Sequence, residues 1–356
     1  VAFMTVRYGI IGTGMMGCEH IRNLVQIDAA EVVAVADPNA KSRAWALTAC
    51  QPKFTPTVYE DYRQLLARDD IDAVVIASPN FTHIDVMREI FKTDKHVLLE
   101  KPMCTTIADC QAVVAGASQH QGLVWVGLEY RYMAPVARFL AELEQGAVGD
   151  LKMLFVREHR YPFLKKVGDW NRFNKNSGGT LVEKCCHFFD LMNLAIKSQP
   201  VSVFASGGQD VNHLQERYDG ATPDILDNAF VIVDYANGAR ACLDLCMFAE
   251  SSRNEQELVA TGDLGKLEAL IPEGRLIRGG REYQKYESFD IEIDPRVAEV
   301  GFHHGASYLE HLNFIEAIET GSPAAVTVAD GLLSVSMGVA AQRSIVEGRK
   351  VLMSDV

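Results

Sequence analysis

The sequence predicts a two-domain α/β protein whose first domain is a doubly wound parallel sheet. The chain has 356 residues, more than one average domain contains. Near its start, a glycine-rich turn joins an apolar strand to a helix. Unbroken apolar runs such as "AVVIA" then alternate with helical segments, which is typical of parallel strands covered on both faces. We place the first domain at 4–128 and the second at 129–356.

Composition and charge exclude several classes of protein. Apolar residues make up 48% of the chain and charged residues 23%, as in folded soluble proteins. The net charge of −13 would repel a phosphate backbone, so we expect no nucleic-acid partner. No apolar run approaches the ~20 residues that cross a bilayer, and no secretory signal is recognisable. The eight cysteines form no CxxC pair, so we expect reduced thiols, no structural zinc and a cytoplasmic location.

The glycine turn predicts a dinucleotide site. Gly12, Gly14 and Gly17 have GxGxxG spacing, which allows a tight turn, a close approach to a pyrophosphate and close packing of helix on strand. The amides that open the helix would face the phosphates. Asp37 closes the next apolar run, where a carboxylate accepts ribose hydroxyls. Because this carboxylate would repel a 2′-phosphate, we expect NAD rather than NADP, although Arg43 lies close enough in sequence to leave the choice open.

Two further strands bring polar residues to the same rim. "IDAVVIASPN" and "KHVLLEKP" predict buried parallel strands, and "THIDVMREIFKTD" predicts a helix between them. Ligands of such sheets lie beyond the carboxyl ends of the strands. We therefore expect Lys101, which follows the second of these strands, to face the group that reacts with the cofactor.

At "EKP" following "SPNFTH", the chain resembles the Gfo/Idh/MocA family, the relatives of glucose–fructose oxidoreductase and inositol dehydrogenase. "GIIGTGMMG", "VADPN", "IASPNFTH", "LLEKP" and "GGTLVEKCCHFFD" occur in the family's order over nearly the whole chain. The resemblance implies an N-terminal Rossmann domain and a C-terminal α/β domain with a large, mostly antiparallel, open-faced sheet. It also implies a cis bond between Lys101 and Pro102.

The resemblance also implies the roles of single residues. Lys101 would contact the reacting hydroxyl and the nicotinamide, His187 would be the acid or base, and Glu183 would stand where many members have aspartate. No metal is required. The glycine turn, the strand ends and the resemblance together predict the cofactor-binding residues Gly12, Thr13, Gly14, Met15, Met16, Gly17, Asp37, Ser78, Pro79, Asn80, His83, Glu100, Lys101, Pro102 and Arg131. The substrate-binding residues that the resemblance implies are Lys101, Arg131, His159, Glu183, His187 and Asp190.

The segment "GGTLVEKCCHFFDLM" predicts a buried helix with one polar stripe. Glu183, His187 and Asp190 are spaced i, i+4 and i+7, so they share one face. Such a stripe either lines a pocket or faces solvent, and the upstream motifs favour the pocket. We expect Lys184 to point away from that pocket. The adjacent cysteines at 185 and 186 point to different faces, which favours packing over a metal site.

Two other groups of residues leave alternatives open. Trp170 and Arg172 are either pocket walls, with the flat ring stacked on a sugar, or part of a surface loop held by a hydrophobic anchor. His303, His304 and His311 suggest a metal site, but without acidic or cysteine partners at ligand spacing we favour solvated or pocket-edge histidines.

Longer strands from about residue 150 predict a different second domain. "DNAFVIVDYANGARACLDLCMF" is typical of a hairpin that turns at Asn237 and Gly238. Its second run has apolar residues on both faces, and leaving one of them in water is costly. We therefore predict a homodimer or homotetramer joined through this sheet. The helices "SYLEHLNFIEAIETG" and "ADGLLSVSMGVAAQRSIVEG" should cover the sheet or bridge back to the first domain.

The predicted function is NAD-dependent hydride transfer between nicotinamide and a secondary hydroxyl of a sugar, inositol or related polyol. Oxidising an alcohol needs a hydride acceptor and a base, and Lys101 and His187 would form the proton relay. The resemblance leaves a second function open: glycoside cleavage with tightly bound NAD, which needs nearly the same residues. A nucleotide-binding sensor without turnover is a third, against which intact Lys101 and His187 argue. The expected partner is a small molecule, with no membrane.

Overall fold

The computed structural model describes residues 5–292, 295, 297 and 303–356. Residue 4, the predicted start of the first domain, lies outside them. Most of the chain forms two sheets with helices packed against them. The α/β class, with one parallel and one mostly antiparallel sheet, is therefore confirmed.

The first sheet has six parallel strands in the order β3-β2-β1-β4-β5-β6, the doubly wound order of dinucleotide-binding folds. The order reverses between β1 and β4, which opens a crevice at the carboxyl ends of the central strands. The strands are β1 Val6–Ile11, β2 Ala30–Ala36, β3 Thr57–Tyr59, β4 Ala73–Ile76, β5 His96–Glu100 and β6 Val124–Gly127. The helices are α1 Met15–Val25, α2 Ala40–Cys50, α3 Tyr62–Leu66, α4 His83–Ile90 and α5 Ile107–Ala117.

The second sheet has nine strands in the order β14-β13-β12-β11-β7-β10-β9-β8-β15, and only the β7–β10 pair is parallel among the described strands. The predicted hairpin is confirmed: β9 and β10 pair around a turn with Gly238 at φ 85°. The helices are α6 Ala134–Glu144, α7 Asn174–Ser177, α8 Thr180–Glu183 and α9 Cys186–Ile196. The strands are β7 Leu151–His159, β8 Pro200–Gly208, β9 Asn228–Tyr235, β10 Arg240–Cys246, β11 Gln256–Gly262, β12 Gly265–Ile271, β13 Arg275–Gly280, β14 Tyr286–Asp290 and β15 Val351–Leu352.

The last two helices, α10 Ala306–Thr320 and α11 Val328–Glu347, connect the two sheets. Phe314 of α10 packs in the core of the first sheet, and Trp125 of β6 donates a hydrogen bond to Glu310 of α10 at 3.1 Å. Met337 of α11 packs in the core of the second sheet, whereas Val335, two residues earlier, packs in the first. Both expected roles of these helices, covering the sheet and bridging back, are therefore present. Within the described ranges, no helix is long and apolar enough to cross a membrane.

Candidate active site

A cavity of about 1020 Å³ lies beyond the carboxyl ends of β1, β2, β4 and β5, where the sheet topology predicts a ligand. Ten of the predicted cofactor-binding residues line it: Gly12, Gly14, Met15, Met16, Asp37, Ser78, Pro79, Asn80, Glu100 and Lys101. Residues without a sequence signal line it too, among them Arg22, Lys41, Trp45, Glu60, Tyr62 and Phe81.

The three glycines have the geometry that a pyrophosphate needs. A Cβ at Gly12, where φ is 84°, would collide with the backbone of Ser78, and a Cβ at Gly17 would collide with the carbonyl oxygen of Gly12. A Cβ at Gly14 would meet no described atom within 4 Å, so this glycine faces open space in the cavity wall. Gly14 also caps α1 without a side-chain bond, which leaves the first helical amides to a bound anion. These residues fit a dinucleotide.

The region around Asp37 is consistent with NAD. The Asp37 carboxylate accepts hydrogen bonds from the amides of Thr13 at 2.8 Å and Asn39 at 2.8 Å, so its negative charge is fixed at the cavity wall. Arg43, which had left the choice of cofactor open, bonds to Glu60 at 2.6 Å and to the carbonyl of Asp37 at 2.8 Å. Its charge is therefore neutralised within the protein.

The other predicted cofactor residues support the cavity from behind or lie elsewhere. Thr13 and Gly17 are buried beneath the glycine turn. His83 is buried and bonds to the carbonyls of Pro102 at 3.0 Å and Ser78 at 3.1 Å, so it holds together two of the loops that form the rim. The Lys101–Pro102 bond is cis, as the resemblance implied. Arg131 is described below.

A loop of the second domain covers one side of the cavity. Lys165, Lys166, Val167 and Trp170 line it, so Trp170 does form part of a pocket wall. The Trp170 ring packs edge-on against Phe81 of the first domain at 6.5 Å. The structure thus supports the interpretation of Trp170 as a pocket wall. The ring faces the cofactor cavity, however, whereas the prediction was that it stacks on a sugar.

Lys101 lies where the cavity meets the second domain. Its Nζ is 3.4 Å from the carbonyl oxygen of Glu183. Burial lowers the pKa of Lys101, but the Cys186 thiol and the carboxylates of Glu129, Glu100 and Glu183 outweigh this effect and raise it above its ordinary value. Lys101 is therefore a cation at neutral pH.

The predicted polar stripe is interrupted in the structure. The helix breaks between α8 and α9, and the Cys185 amide reaches back five residues to the carbonyl of Thr180 at 3.3 Å. All residues of the segment 179–192 are buried, so the interpretation of the stripe as solvent-facing is wrong. A single narrow polar stripe is not present either, because the helix breaks. Glu183 points to Lys166, whose Nζ donates to its Oε1 at 3.0 Å. The carboxylate of Glu183 is thus held by a lysine of the loop that covers the cofactor cavity.

His187 has a different carboxylate beside it. Its Nε2 lies 3.7 Å from Oε1 of Glu129, and its ring stacks on Tyr130 with centroids 3.9 Å apart and an interplanar angle of 6°. His187 is 1% exposed, and its Nδ1 has no partner among the described residues. Burial, together with the cations Lys101 and Lys184, lowers the pKa of His187 well below its ordinary value. The imidazole is therefore neutral at pH 7.

Lys184 does not line the cavity, and its side chain is buried against Tyr130 and Glu158. It is 4% exposed, and its Nζ lies 2.5 Å from the Tyr130 hydroxyl and 2.9 Å from Glu158. Burial, aided by the positive charge of Arg160, lowers the pKa of Lys184 to about 8 against the opposing effect of Glu158. This cluster supports the back of the ring that stacks on His187.

Arg131 and Asp190 bond to each other rather than pointing to a ligand. The guanidinium donates to both carboxylate oxygens, at 2.7 and 2.5 Å, and also lies 3.2 Å from Asp330. The side chains of Arg131 and Asp190 are 11% and 3% exposed. This buried pair joins the segment after β6 to α9 and α11. The roles of Arg131 in cofactor and substrate binding and of Asp190 in substrate binding stay predictions.

His159 and Arg172 are placed away from the site. His159 lies on the open face of the second sheet and contacts Asp244 at 3.0 Å, because side chains alternate along β7 and its neighbour Glu158 points inward. Arg172 is 2% exposed and donates to Glu216 at 3.0 Å, so it is a buried ion-pair residue and not a pocket wall. His303 contacts Glu19 at 3.1 Å, and the buried His311 contacts His20 at 2.9 Å.

Comparison with known sequences assigns the family. The family model GFO_IDH_MocA, an oxidoreductase family with an NAD-binding Rossmann fold, matches residues 6–128. The model of the same family's C-terminal α/β domain matches residues 141–353. The chain belongs to the Gfo/Idh/MocA oxidoreductase family. It is therefore an oxidoreductase with an NAD-binding Rossmann domain.

Several known proteins resemble this chain over nearly its full length. A myo-inositol 2-dehydrogenase from Thermotoga maritima is 26% identical over 359 aligned positions and is covered to 99%, as is this chain. A scyllo-inositol 2-dehydrogenase (NAD(+)) from Bacillus subtilis is 26% identical, over 97% of this chain and 96% of its own. The structure of levoglucosan dehydrogenase in complex with NADH and levoglucosan has a similar fold, with a TM-score of 0.84 at 19% identity over 98% of this chain and 99% of that one.

Sequence reasoning about this Gfo/Idh/MocA member missed Glu129, Tyr130 and Glu158. A signal for the first two was available: they follow the apolar strand "VWVG", and the carboxyl end of every parallel strand points to the same rim. Glu158 had no comparable signal, because the strand alternation alone does not tell which face is covered.

Proposed function

We propose that this oxidoreductase transfers a hydride between NAD and a secondary hydroxyl of an inositol, a sugar or a related polyol. One observation carries the proposal: Lys101 lines the cofactor cavity and also lies among the buried acid–base groups at His187. The inositol dehydrogenases among the relatives favour a cyclic polyol over glycoside cleavage.

The chemistry follows from the state of each group. The nicotinamide of NAD supplies the hydride acceptor when it is bound. The Lys101 ammonium stabilises the negative charge that develops on the hydroxyl oxygen as its proton leaves. The neutral His187 accepts that proton, because one nitrogen of a neutral imidazole carries a free lone pair. Burial of this centre strengthens both interactions by excluding water.

The test is NADH formation from NAD with a panel of inositols, aldoses and glycosides, followed by absorbance. We expect turnover with at least one polyol, and a loss of ~10²-fold or more in Lys101→Ala and in His187→Ala. Lys92→Ala, which removes a lysine paired with Glu89 on the surface, is the matched control and should keep full activity. Near-normal turnover in both site variants would refute the proposal.

We also propose that the chain forms a homodimer or homotetramer through the open face of its second sheet. Strand register aligns Phe204, Ile232, Cys242, Phe155 and Val259 in one apolar row across five strands. Ile232 is 44% exposed in the single chain, and such a row in water favours a second copy of the same face. A monomeric mass in light scattering at micromolar concentration would contradict this proposal.

We keep the cytoplasmic location as a further proposal. All eight cysteines, each of which lies within the described ranges, have free thiols, as in reducing compartments. Labelling of the thiols in intact cells before and after reduction would test it, since disulfides in the cellular protein would contradict it.

A further inference from the structure

We propose that Glu129 holds the proton of the reaction: its carboxylate takes up, by way of His187, the proton that the substrate hydroxyl loses. This inference deepens the proposed function and rests on it. It adds a proton-accepting residue that neither the sequence motifs nor the spacing of the polar stripe indicated.

The Glu129 carboxylate is buried without the partners that such groups normally have. The residue is 2% exposed, and neither of its oxygens has a hydrogen-bond partner in the described part of the chain. Oε1 lies 3.7 Å from His187 Nε2 and 4.0 Å from His303 Nδ1. Buried polar groups are nearly always bonded, so an orphaned carboxylate beside an active-site histidine indicates a proton or ligand group that arrives during the reaction.

The other carboxylates around the site are already committed to partners. Glu183 accepts a hydrogen bond from Lys166, and Asp190 accepts from Arg131. Glu158 pairs with Lys184, and Glu100 bonds to His20 at 2.7 Å and to the amide of Lys101 at 3.0 Å. Glu129 is thus the carboxylate next to His187 that remains available for a proton.

The charges around the two groups decide where a proton stays. The pKa of His187 lies well below its ordinary value because of burial and the cations Lys101 and Lys184, so the protonated ring favours transfer of its proton to Glu129. Burial and the charge of Glu100 raise the pKa of Glu129 to about 7, although His303 and Lys101 oppose this effect. Glu129 can therefore both accept a proton and give it up near neutral pH, which is the condition for efficient general acid–base catalysis.

The step balances in atoms and charge. The C–H bond breaks and its electron pair leaves as hydride to the oxidised cofactor, while the O–H bond breaks and its proton goes to the His187 imidazole. The imidazole passes its Nε2 proton to Glu129 Oε1, so the ring ends neutral and the carboxylate becomes a carboxylic acid. A separation of 3.7 Å exceeds a hydrogen bond, and such contacts shorten in the substrate complex. His303, 27% exposed and 4.0 Å from Glu129, then connects the proton to water.

Two isosteric variants test the proposal through the pH profile. In the wild type, oxidation should rise with pH up to about 7, since Glu129 must be deprotonated to accept a proton, and then level off. Glu129→Gln should lower kcat by ~10²-fold and remove this rise. Glu142→Gln, which replaces a buried carboxyl of α6 that pairs with Arg138, should keep the wild-type profile. The titratable groups whose charge interacts with that of Glu129 include Lys101, Glu100, Cys186, Tyr130, His187, His303, Glu310 and His20.

A second measurement does not depend on turnover. Infrared titration of the chain without substrate should show a carboxylic-acid carbonyl absorption that disappears near pH 7 in the wild type and in Glu142→Gln, and that Glu129→Gln lacks. An active wild type together with a fully active Glu129→Gln, or a titrating absorption that persists in this variant, would overturn the role of Glu129 alone. A wild type that oxidises no polyol would overturn the proposed function, and with it the source of the proton, whatever the infrared titration shows.

Discussion

Replacement of Glu129 by glutamine should make the protein more stable above pH 7. The pKa of Glu129 is raised from 4.5 to about 7, mainly by burial. Because the folded-state pKa is the higher one, folding favours the protonated carboxyl: this stability is fully present below the unfolded pKa and is lost as the pH rises through about 7. The difference between these two pKa values corresponds to about 3 kcal/mol of folding free energy, at 1.36 kcal/mol per pKa unit. Glutamine does not ionise, so the variant does not carry this cost.

Thermal unfolding at pH 5 and pH 8.5, followed by calorimetry, measures the effect. At pH 8.5 the variant should melt ~6 °C above the wild type, at ~2 °C per kcal/mol for a chain of this size, and the difference should shrink strongly at pH 5. Glu144→Gln, on the exposed side of α6, should melt like the wild type at both pH values. A Glu129→Gln variant that is less stable than the wild type at pH 8.5 would refute the reasoning, because the carboxylate would then have a stabilising partner.

Four further predictions test other parts of the structure. Gly14→Ala should leave the melting temperature nearly unchanged but weaken NAD binding in a fluorescence titration. Gly12→Ala should lower both the melting temperature and the affinity for NAD, because Gly12 has a positive φ and a Cβ there would collide with the backbone of Ser78. Asp37→Ser should raise KM for NAD by about tenfold and lower the preference for NAD over NADP, as steady-state kinetics with both cofactors would show. Asp190→Asn should destabilise the fold by ~3 kcal/mol in denaturant unfolding, because the buried Arg131 guanidinium then keeps only the partly exposed Asp330 as a charged partner. Ile232→Glu should give a mass in light scattering equal to one chain, because the carboxylate would lie in the middle of the apolar row.

Much of the first domain could be predicted because its signals are local. Each of its main signals combines a residue type with a fixed spacing: the glycine turn, the carboxylate at Asp37 and the strand that precedes Lys101. In a parallel sheet, such spacing determines where the residue lies relative to the ligand-binding edge. The hairpin at Gly238 could be predicted for the same reason, since the turn sequence and the flanking strands are adjacent in the chain.

The substrate side could not be predicted as well because its geometry depends on contacts between distant residues. Glu183 has the spacing of a partner for His187, but Lys166 attracts its carboxylate and the helix breaks after it. Asp190 has the spacing of a substrate ligand, but Arg131, 59 positions away, bonds to both its oxygens. Periodicity predicts the helix face from which a side chain projects, whereas its oppositely charged partners determine its final orientation.

The placement of α10 has a consequence for the order in which the chain can fold during synthesis. Trp125, at the end of the first sheet, is covered by α10 and bonds to Glu310, which is made 185 residues later. When the ribosome has completed 6–128, the edge of that sheet is still an apolar surface without its cover. Nascent chains of this kind expose aggregation-prone surface until the missing element emerges, so this domain depends on nearly complete synthesis and on protection in the meantime.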